Sequence, residues 1–547
     1  MSIGIAVIFS LFIIGDKPFF LNQDQMRQYE IFYQEWLRLL NVFVKTGEAP
    51  FYSWNLFLGS DFLISKFYYV TGDPFVLLFA LLPFSVHRFL ILESIFCVYI
   101  AGCLFYWFLK EFGITNKSVR ITTALLYAFS GFTVHYYGNF MFFRFFAFLP
   151  LLFVGVERYL QKKQTGIFIF AVLLLIFQSY YFMFPTSFFL VFYVLFSYLH
   201  RGNRFDFRKI IKLALPLIGA YLIGILLSMV FLLPTIMMVL QNTRLGVVSE
   251  ATGLFWSFKT ILGYLFSLIT PPFNIWTWYY PYIFTEGYGY AFWCSLYTSA
   301  FAVIALFWQL LYGKQKKLFR IFLGVLFAFM VVLPLNSMLH GFSEPSSRWF
   351  FLVVLFLCLI FAITMQEFKN IDTKQLIHSY GLFTFLILLG FILLNLFKQI
   401  DYSIHGSNIL GFTIPLLLGW LYVFLLHKKL KRIVYILAVA EAVVGCMLTA
   451  SVTTLGNQMP VNQIEPAFFM SLQEQDSESA FRIYIDSIFY QPYSSLNLNQ
   501  PLKLGYMGTS TYDTIYAFEL NDFLHLNGFY QHFIELKDIE VLKMLGV

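Results

Sequence analysis

Asp24, Gln28, Ile31 and Glu35 are separated by four, three and four residues, a spacing that puts all four on one face of a helix. Around them Tyr29, Phe32, Tyr33, Trp36, Leu40 and Phe43 recur at three- and four-residue steps, with Arg27, Gln34, Arg38, Asn41 and Lys45 in between. The pattern predicts an amphipathic helix over 24–46 lying in a membrane interface, capped by Asn22 or Asp24 and ended by Gly47. A carboxylate at its start would stand where a lipid-borne substrate presents its head group. Asp24 therefore has two readings: an N-cap, which Ser or Asn would replace, and a general base, which requires the carboxylate itself.

A base of this kind needs a counterpart that stabilises a leaving group. On the same side of the membrane the candidates are Arg348, Arg244, Lys259, His340 and Arg88. Arg348 stands out because it follows the polar stretch His340-Gly341-Phe342-Ser343-Glu344-Pro345 and immediately precedes an apolar run; its other reading is interfacial snorkelling. Arg144, between Phe143 and Phe145, either faces a cavity or lies near a short outer turn at Gly138-Asn139. Asp16, Asp61, Asp73, Glu286 and Glu344 compete with Asp24. Asp61 follows Gly59 and also reads as a turn residue, and Asp73-Pro74 as the start of the short segment 74–84. Glu286 lies in Glu286-Gly287-Tyr288-Gly289-Tyr290, close to Trp276, Trp278, Tyr279, Tyr280 and Tyr282. Those rings either stack on sugar faces or form an interfacial belt.

The elements that must position these residues are membrane helices. Of 547 residues 59% are hydrophobic and 12% charged, with 71 Phe and 35 Tyr, whereas soluble domains carry roughly 25% charged residues. Apolar runs long enough to cross a bilayer recur down the chain and do not alternate as barrel strands do. Candidate spans are 1–15, 88–109, 119–137, 141–159, 165–178, 180–199, 212–234, 291–312, 319–335, 349–366, 378–397, 410–427 and 433–452. The predicted fold class is an all-α polytopic membrane protein of about thirteen transmembrane helices.

Basic residues cluster at Lys110/Lys117/Arg120, Arg158/Lys162/Lys163, Arg201/Arg204/Arg208/Lys209/Lys212, Lys314/Lys316/Lys317/Arg320, Lys369/Lys374 and Lys428/Lys429/Lys431/Arg432. In this scheme all six fall on one side, which the positive-inside rule makes cytoplasmic. The N-terminus is then cytoplasmic, and the loops 16–87 and 235–290 lie outside. Within the membrane domain, 1–455, the chemistry is thus expected on the outer face. The composition shifts near Gly456, and 456–547 reads as a small extracytoplasmic α+β segment.

The net charge of +7 reflects topology rather than a nucleic-acid partner. Cys97, Cys103, Cys294, Cys358 and Cys446 sit in apolar segments and read as small hydrophobes. No metal-ligand spacing and no phosphate-cradling GxxxxGK[ST] or GxGxxG occurs in a strand-to-helix context, so neither a bound metal nor a nucleotide cofactor is expected.

Further motifs occur in a fixed order: Asp24-Gln25-Met26-Arg27-Gln28-Tyr29 with Phe32, Tyr52 to Leu56, Phe57-Leu58-Gly59-Ser60-Asp61-Phe62, Tyr68-Tyr69 and Asp73-Pro74-Phe75. Tyr127-Ala128-Phe129-Ser130-Gly131-Phe132, Pro150-Leu151, Gly155-Val156-Glu157-Arg158, and Pro345 with Arg348-Trp349-Phe350 follow. In order and spacing the set resembles the bacterial YfhO family over nearly the whole chain. The resemblance implies the GT-C architecture, in which multi-span glycosyltransferases take a sugar from a polyprenyl-phosphate carrier and use an acidic residue of the first outer loop. It places the protein in a bacterial plasma membrane. It implies sugar transfer to a cell-envelope glycopolymer such as teichoic or lipoteichoic acid.

Asp24 matches the family's acidic position and would be the catalytic base of an inverting transfer. Gln28, Tyr29, Asp61, Tyr68, Tyr69, Glu286, His340 and Arg348 would bind substrate. Family members continue beyond the point matching Leu545-Gly546-Val547, so the outer domain is expected to be incomplete. Two other readings remain open, a transporter or flippase of lipid-linked sugars and a non-catalytic membrane scaffold. A transporter should have Gly/Pro-broken spans with polar residues at the midplane, whereas these runs read as mostly unbroken.

Overall fold

The computed structural model describes residues 1–13, 28–49, 51–56, 59–80, 85–136, 139–240, 253–270, 295–342, 345–367, 372–396 and 408–456. In chain order the first elements are α1 (Ser2–Ile13), α2 (Glu30–Thr46), the hairpin β1 (Tyr52–Ser53) and β2 (Ser60–Asp61), α3 (Phe62–Ser65), a π-turn at Phe67–Thr71 and α4 (Pro74–Ala80). Next come α5 (Val86–Phe112), α6 (Lys117–Ala128), α7 (Gly131–His135), α8 (Phe140–Lys162), α9 (Gly166–His200) and α10 (Phe207–Leu240). The remainder are α11 (Phe258–Ser267), α12 (Ala300–Tyr312), α13 (Lys316–Val331), α14 (Leu333–Leu339), α15 (Phe351–Glu367), α16 (Thr373–Leu396), α17 (Asn408–His427) and α18 (Lys431–Gly456).

Seven helical segments among the described residues are long and apolar enough to cross a membrane: α5, α8, α9, α10, Arg348–Glu367, Thr373–Leu393 and Lys431–Thr449. The protein is thus an all-α, multi-pass membrane protein. α12 and the Thr413–His427 part of α17 are shorter apolar helices, so the expected thirteen crossings exceed the helices that meet the length requirement. α8 is enclosed on all sides, while α10 turns Leu215, Leu222, Leu226 and Val230 outward.

α9 contains the feature that organises the bundle. An ideal Cβ on Gly155 would lie 2.6 Å from Phe168 Cα, so α8 touches the first half of α9 there. Tyr193 and Ser197, near the far end of α9, donate to Glu157 at 2.5 and 2.7 Å. Residues 168 and 193–197 therefore stand at one level of α8, which requires the chain to turn back between them. The turning point is Ser179, whose backbone is extended (φ −169°, ψ 99°). The segments 165–178 and 180–199 are accordingly two antiparallel helices.

The described residues of the six basic clusters meet at one end of the bundle. Glu111 pairs with Arg158 at 3.1 Å and Lys162 at 3.8 Å, and Glu157 pairs with Arg201. Gln315 donates to the His200 carbonyl (2.9 Å), the Lys314 amide to Glu367 (3.3 Å) and the Thr115 amide to Gln366 (3.1 Å). Thr373 and His427, beside Lys374 and Lys428, are 3.1 Å apart. These contacts put the α5–α6, α8–α9, α9–α10, α12–α13 and α17–α18 connections on a common side with the end of α15 and the start of α16.

Several expectations need correction. Of the helix expected over 24–46, residues 24–27 lie outside the described residues; 28 and 29 are helical, and α2 runs from Glu30 to Thr46, ending as expected at Gly47 in the left-handed region (φ 76°) with its N–H on the Phe43 carbonyl, 2.8 Å away. Its apolar face is not laid on lipid: Ile31, Phe32, Tyr33, Trp36 and Leu39 are buried in protein together with Glu35. Lipid could not satisfy that carboxylate, whereas Arg38 grips it with two bonds of 2.7 Å and Ser53 with one of 2.5 Å.

The run 119–137 breaks into α6 and α7 at Phe129-Ser130, and 319–335 breaks at Val332, whose extended backbone bridges to Phe255. The outer loop expected at 235–290 contains the end of α10 and all of α11. The spans are also less continuous than their apolarity implies, with Pro150, Pro185, Pro216, Pro234 and Pro415 inside helices and the break at Ser179. Cys97, Cys103, Cys358 and Cys446 are free thiols, and all but Cys103 are buried.

Candidate functional site

At the end of the bundle opposite the basic clusters, α2, the Tyr68-Tyr69 turn, the head of α8, the reversal in α9 and the entry to α15 converge. The centre is Arg144, 2% exposed, near the start of α8. Its Nη1 lies 2.8 Å from Glu93 Oε1 on α5 and 3.1 Å from Asp73 Oδ2, and also donates to the Tyr33 hydroxyl on α2. Its Nε donates to Gln178 Oε1 (2.8 Å) beside the reversal, and its Nη2 to the Tyr69 carbonyl (3.0 Å). Tyr33 in turn donates to Glu93 Oε2 at 3.2 Å.

Burial pushes the Tyr33 hydroxyl well above its ordinary range, so it stays a neutral donor. Burial likewise raises the Asp73 carboxyl, against the pull of Arg144 and of the Phe75 amide that Asp73 caps at 2.9 Å. One guanidinium facing two buried carboxyls would leave a net negative charge if both were ionised, which a proton shared within the pair removes.

Adjoining this network is a half-buried second cation, Arg348, in the turn before α15. Its guanidinium lies 6.0 Å from the centre of the Phe142 ring and beside the hydroxyls of Tyr181, Tyr136 and Tyr68. The rings form a continuous wall: Tyr68 to Tyr181 at 6.1 Å, Tyr68 to Tyr180 at 5.6 Å, Tyr136 to Phe142 at 5.2 Å, and Tyr181 to the His340 ring at 5.4 Å.

The turn carrying Arg348 is held from behind. Asn336 Oδ1 accepts from the Ser346 amide (2.6 Å), the Arg348 amide donates to Ser346 Oγ (3.2 Å), and Trp349 stacks on Phe189 at 5.1 Å. Tyr68, Tyr180, Tyr181, His340 and Arg348 are all only partly buried. A fixed guanidinium with partial access, ringed by aromatic faces and hydroxyl donors, suits an anion that carries an apolar or sugar substituent.

The structure brings five of the proposed substrate residues together: Tyr29, Tyr68, Tyr69, His340 and Arg348. Tyr29 joins through its ring, 5.9 Å from Tyr69 and 6.0 Å from Phe140. Gln28, next to Tyr29, is buried just before α2. Asp61 stands apart as the N-cap of α3, accepting from the Ile64 amide at 2.6 Å; burial raises its carboxyl. Arg88 is exposed on the first turn of α5. Asp24, Glu286, Arg244, Asp16, Glu344 and the segment 457–547 lie outside the described residues.

Sequence reasoning missed Glu93 and left Arg144 between two readings. A lone carboxylate within an apolar run was the available signal. It also missed Gln178-Ser179-Tyr180-Tyr181, a polar patch between two spans, and Lys66. The Lys66 ammonium is buried over the Phe32 ring at 5.0 Å, and burial holds it well below the usual lysine range.

The family model described as "Bacterial membrane protein YfhO" matches residues 1–535. The chain is also similar to "Uncharacterized protein YfhO" of Bacillus subtilis (strain 168), with 22% identity over 287 residues, or 51% of this chain. The match spans 29% of that relative's length. No solved structure matches the chain.

Proposed function

The chain belongs to the YfhO family of bacterial membrane proteins, and from that footing we propose that it is an inverting glycosyltransferase. It moves a sugar from a polyprenyl-phosphate carrier to a cell-envelope glycopolymer of the teichoic or lipoteichoic acid kind on the outer face of the plasma membrane. The observation that carries the reading is Arg348 in its aromatic setting, at the end of the bundle away from the basic clusters. By the positive-inside rule that end faces outward and the N-terminus is cytoplasmic; with an odd number of crossings, about thirteen as expected from the apolar runs, 456–547 is extracytoplasmic.

In the reaction, an acceptor hydroxyl oxygen attacks the anomeric carbon while the bond from that carbon to the carrier phosphate breaks. The phosphodiester becomes a phosphomonoester and gains one negative charge, which Arg348, with the Tyr68 and Tyr181 hydroxyls and His340, compensates. The hydroxyl proton passes to Asp24, a carboxylate being the side-chain type that is ordinarily ionised at neutral pH and able to take it. Asp24 precedes Gln28 and Tyr29 by four and five residues, and the Tyr29 ring stands against Tyr69 at the rim of the Arg348 cluster. Glu286 and the aromatic residues around it would contact the sugar or the acceptor.

The test is Asp24→Asn in a transfer assay with radiolabelled polyprenyl-phosphate hexose or N-acetylhexosamine and crude cell-wall polymer. Asn keeps a capping oxygen and cannot take the proton, so a folded variant should lose about 100-fold or more of the activity. Undiminished transfer would exclude Asp24 as the base. The helix reversal at Ser179 and the intrahelical prolines favour one second reading, a carrier of lipid-linked sugars, for which label would cross the bilayer still attached to its lipid.

A further inference from the structure

We propose that Arg144 is a positioning residue for the Arg348 site: it fixes Tyr68 and Tyr181 beside Arg348 by tying the first outer loop to the reversal in α9, without touching the bound group. Arg144 is enclosed, with four of its five N–H bonds directed to Glu93, Gln178, Tyr33 and the Tyr69 carbonyl and with Asp73 in ion-pair contact, so its burial closes it off from a ligand. Three of these acceptors are neutral and would be unnecessary for charge balance alone. Two of them, the Tyr69 carbonyl and Gln178, lie in or beside irregular backbone next to a ring of the site.

The Tyr69 carbonyl belongs to the π-turn, where the Lys66 carbonyl collects the amides of Tyr69, Val70 and Thr71 at 3.0, 2.8 and 3.1 Å. Tyr68, on that same turn, faces Tyr181. Gln178 immediately precedes the extended Ser179, after which Tyr180 and Tyr181 follow. Phe142, which meets the Arg348 guanidinium, is on the same turn of α8 as Arg144. The segments carrying Tyr68, Tyr180-Tyr181 and Phe142 are thereby anchored within a few residues to one guanidinium, whose planar fork fixes direction as well as distance.

The inference rests on Arg348 being an anion site, so the test separates the two. The full-length protein in detergent is titrated with citronellyl phosphate, a short isoprenyl phosphate, and its amide hydrogen exchange is followed over 66–73 and 177–182. Arg144→Met alone strands two buried carboxyls and is expected to unfold the outer end. The informative variant is therefore Arg144→Met with Asp73→Asn and Glu93→Gln, which removes the three charges together and keeps the cap on the Phe75 amide.

This variant should fold with wild-type helicity, bind citronellyl phosphate about three- to tenfold more weakly, the worth of one misplaced aromatic contact, and exchange faster in those two segments alone. Arg348→Ala should lose binding with no change in their exchange. Wild-type affinity and exchange in the triple variant would overturn the proposal, as would faster exchange spread evenly over the bundle, which marks a purely stabilising role. If the wild type binds no citronellyl phosphate, the anion-site reading fails, and the exchange pattern alone upholds or overturns the tether.

Discussion

Gly155→Ala tests the seam that returns α9 to the outer end. A methyl at this position would sit 2.6 Å from Phe168 Cα and 2.8 Å from both its amide nitrogen and its Cβ, where ordinary contact begins at 3.4 Å. These are atoms of or next to the backbone, so no rotamer change relieves the overlap, and the two helices must separate by nearly an ångström. Overpacking of this kind costs about 1–3 kcal/mol. It should also strain the bonds that Tyr193 and Ser197 make to Glu157, two residues further along α8.

The control is Gly219→Ala in α10, where a methyl meets nothing within 4 Å and helix propensity gains up to about 1 kcal/mol. Unfolding can be followed in detergent by the reaction of a thiol-specific dye with the buried Cys97, Cys358 and Cys446. Gly155→Ala should melt below both the wild type and Gly219→Ala. Equal melting of the two variants would refute the close approach of α8 to α9, and with it the reversal at Ser179.

Three further outcomes are expected. Arg348→Ala should weaken binding of citronellyl phosphate by about tenfold or more, the worth of a charge-assisted hydrogen bond. Arg348→Lys should recover only part of that affinity, because an ammonium neither forks nor stacks; full recovery in a titration would contradict the geometry. Asp61→Asn should keep both sugar transfer and the cap of α3, whereas Asp61→Ala should lose about 1 kcal/mol in a melt and still transfer sugar. Loss of transfer in the Asn variant would place Asp61 in the site instead. Because burial raises the Asp73 carboxyl, its contribution to stability is fully present below the ordinary carboxylate range and is lost as pH rises through the raised value. Wild type should therefore gain stability relative to Asp73→Asn as pH falls toward the ordinary carboxylate range; a pH-independent difference would count against a raised Asp73 carboxyl.

The sequence made the membrane class legible because apolar runs and basic clusters are one-dimensional signals, and the contacts among Glu111, Arg158, His200, Gln315 and Glu367 place those clusters on one side. The separation of 165–178 from 180–199 was legible for the same reason, since a single helix would have put Lys163 and Arg201 at opposite ends. α2 was read on the correct face but given the wrong neighbour. Periodicity shows that Phe32 and Trp36 share a stripe, and cannot show whether protein or lipid covers it. Glu35 was the clue, because a carboxylate on the apolar stripe needs protein partners. The Arg144 network was illegible because Tyr33, Asp73, Glu93, Arg144 and Gln178 are scattered over more than a hundred residues, and only the folded bundle makes them neighbours. Arg348 was found because it stands at a polar-to-apolar boundary, while its partners Tyr136 and Tyr181 were hidden among the many tyrosines of aromatic-rich helices.

The most direct measurement is made on the wild-type protein in proteoliposomes, supplied with radiolabelled polyprenyl-phosphate sugar and cell-wall polymer. The glycosyltransferase account predicts that label moves to the polymer with inverted anomeric configuration, with one polyprenyl phosphate released for each sugar transferred. Label that crosses the bilayer still bound to its lipid, with none on the polymer for any hexose or N-acetylhexosamine donor, would contradict it.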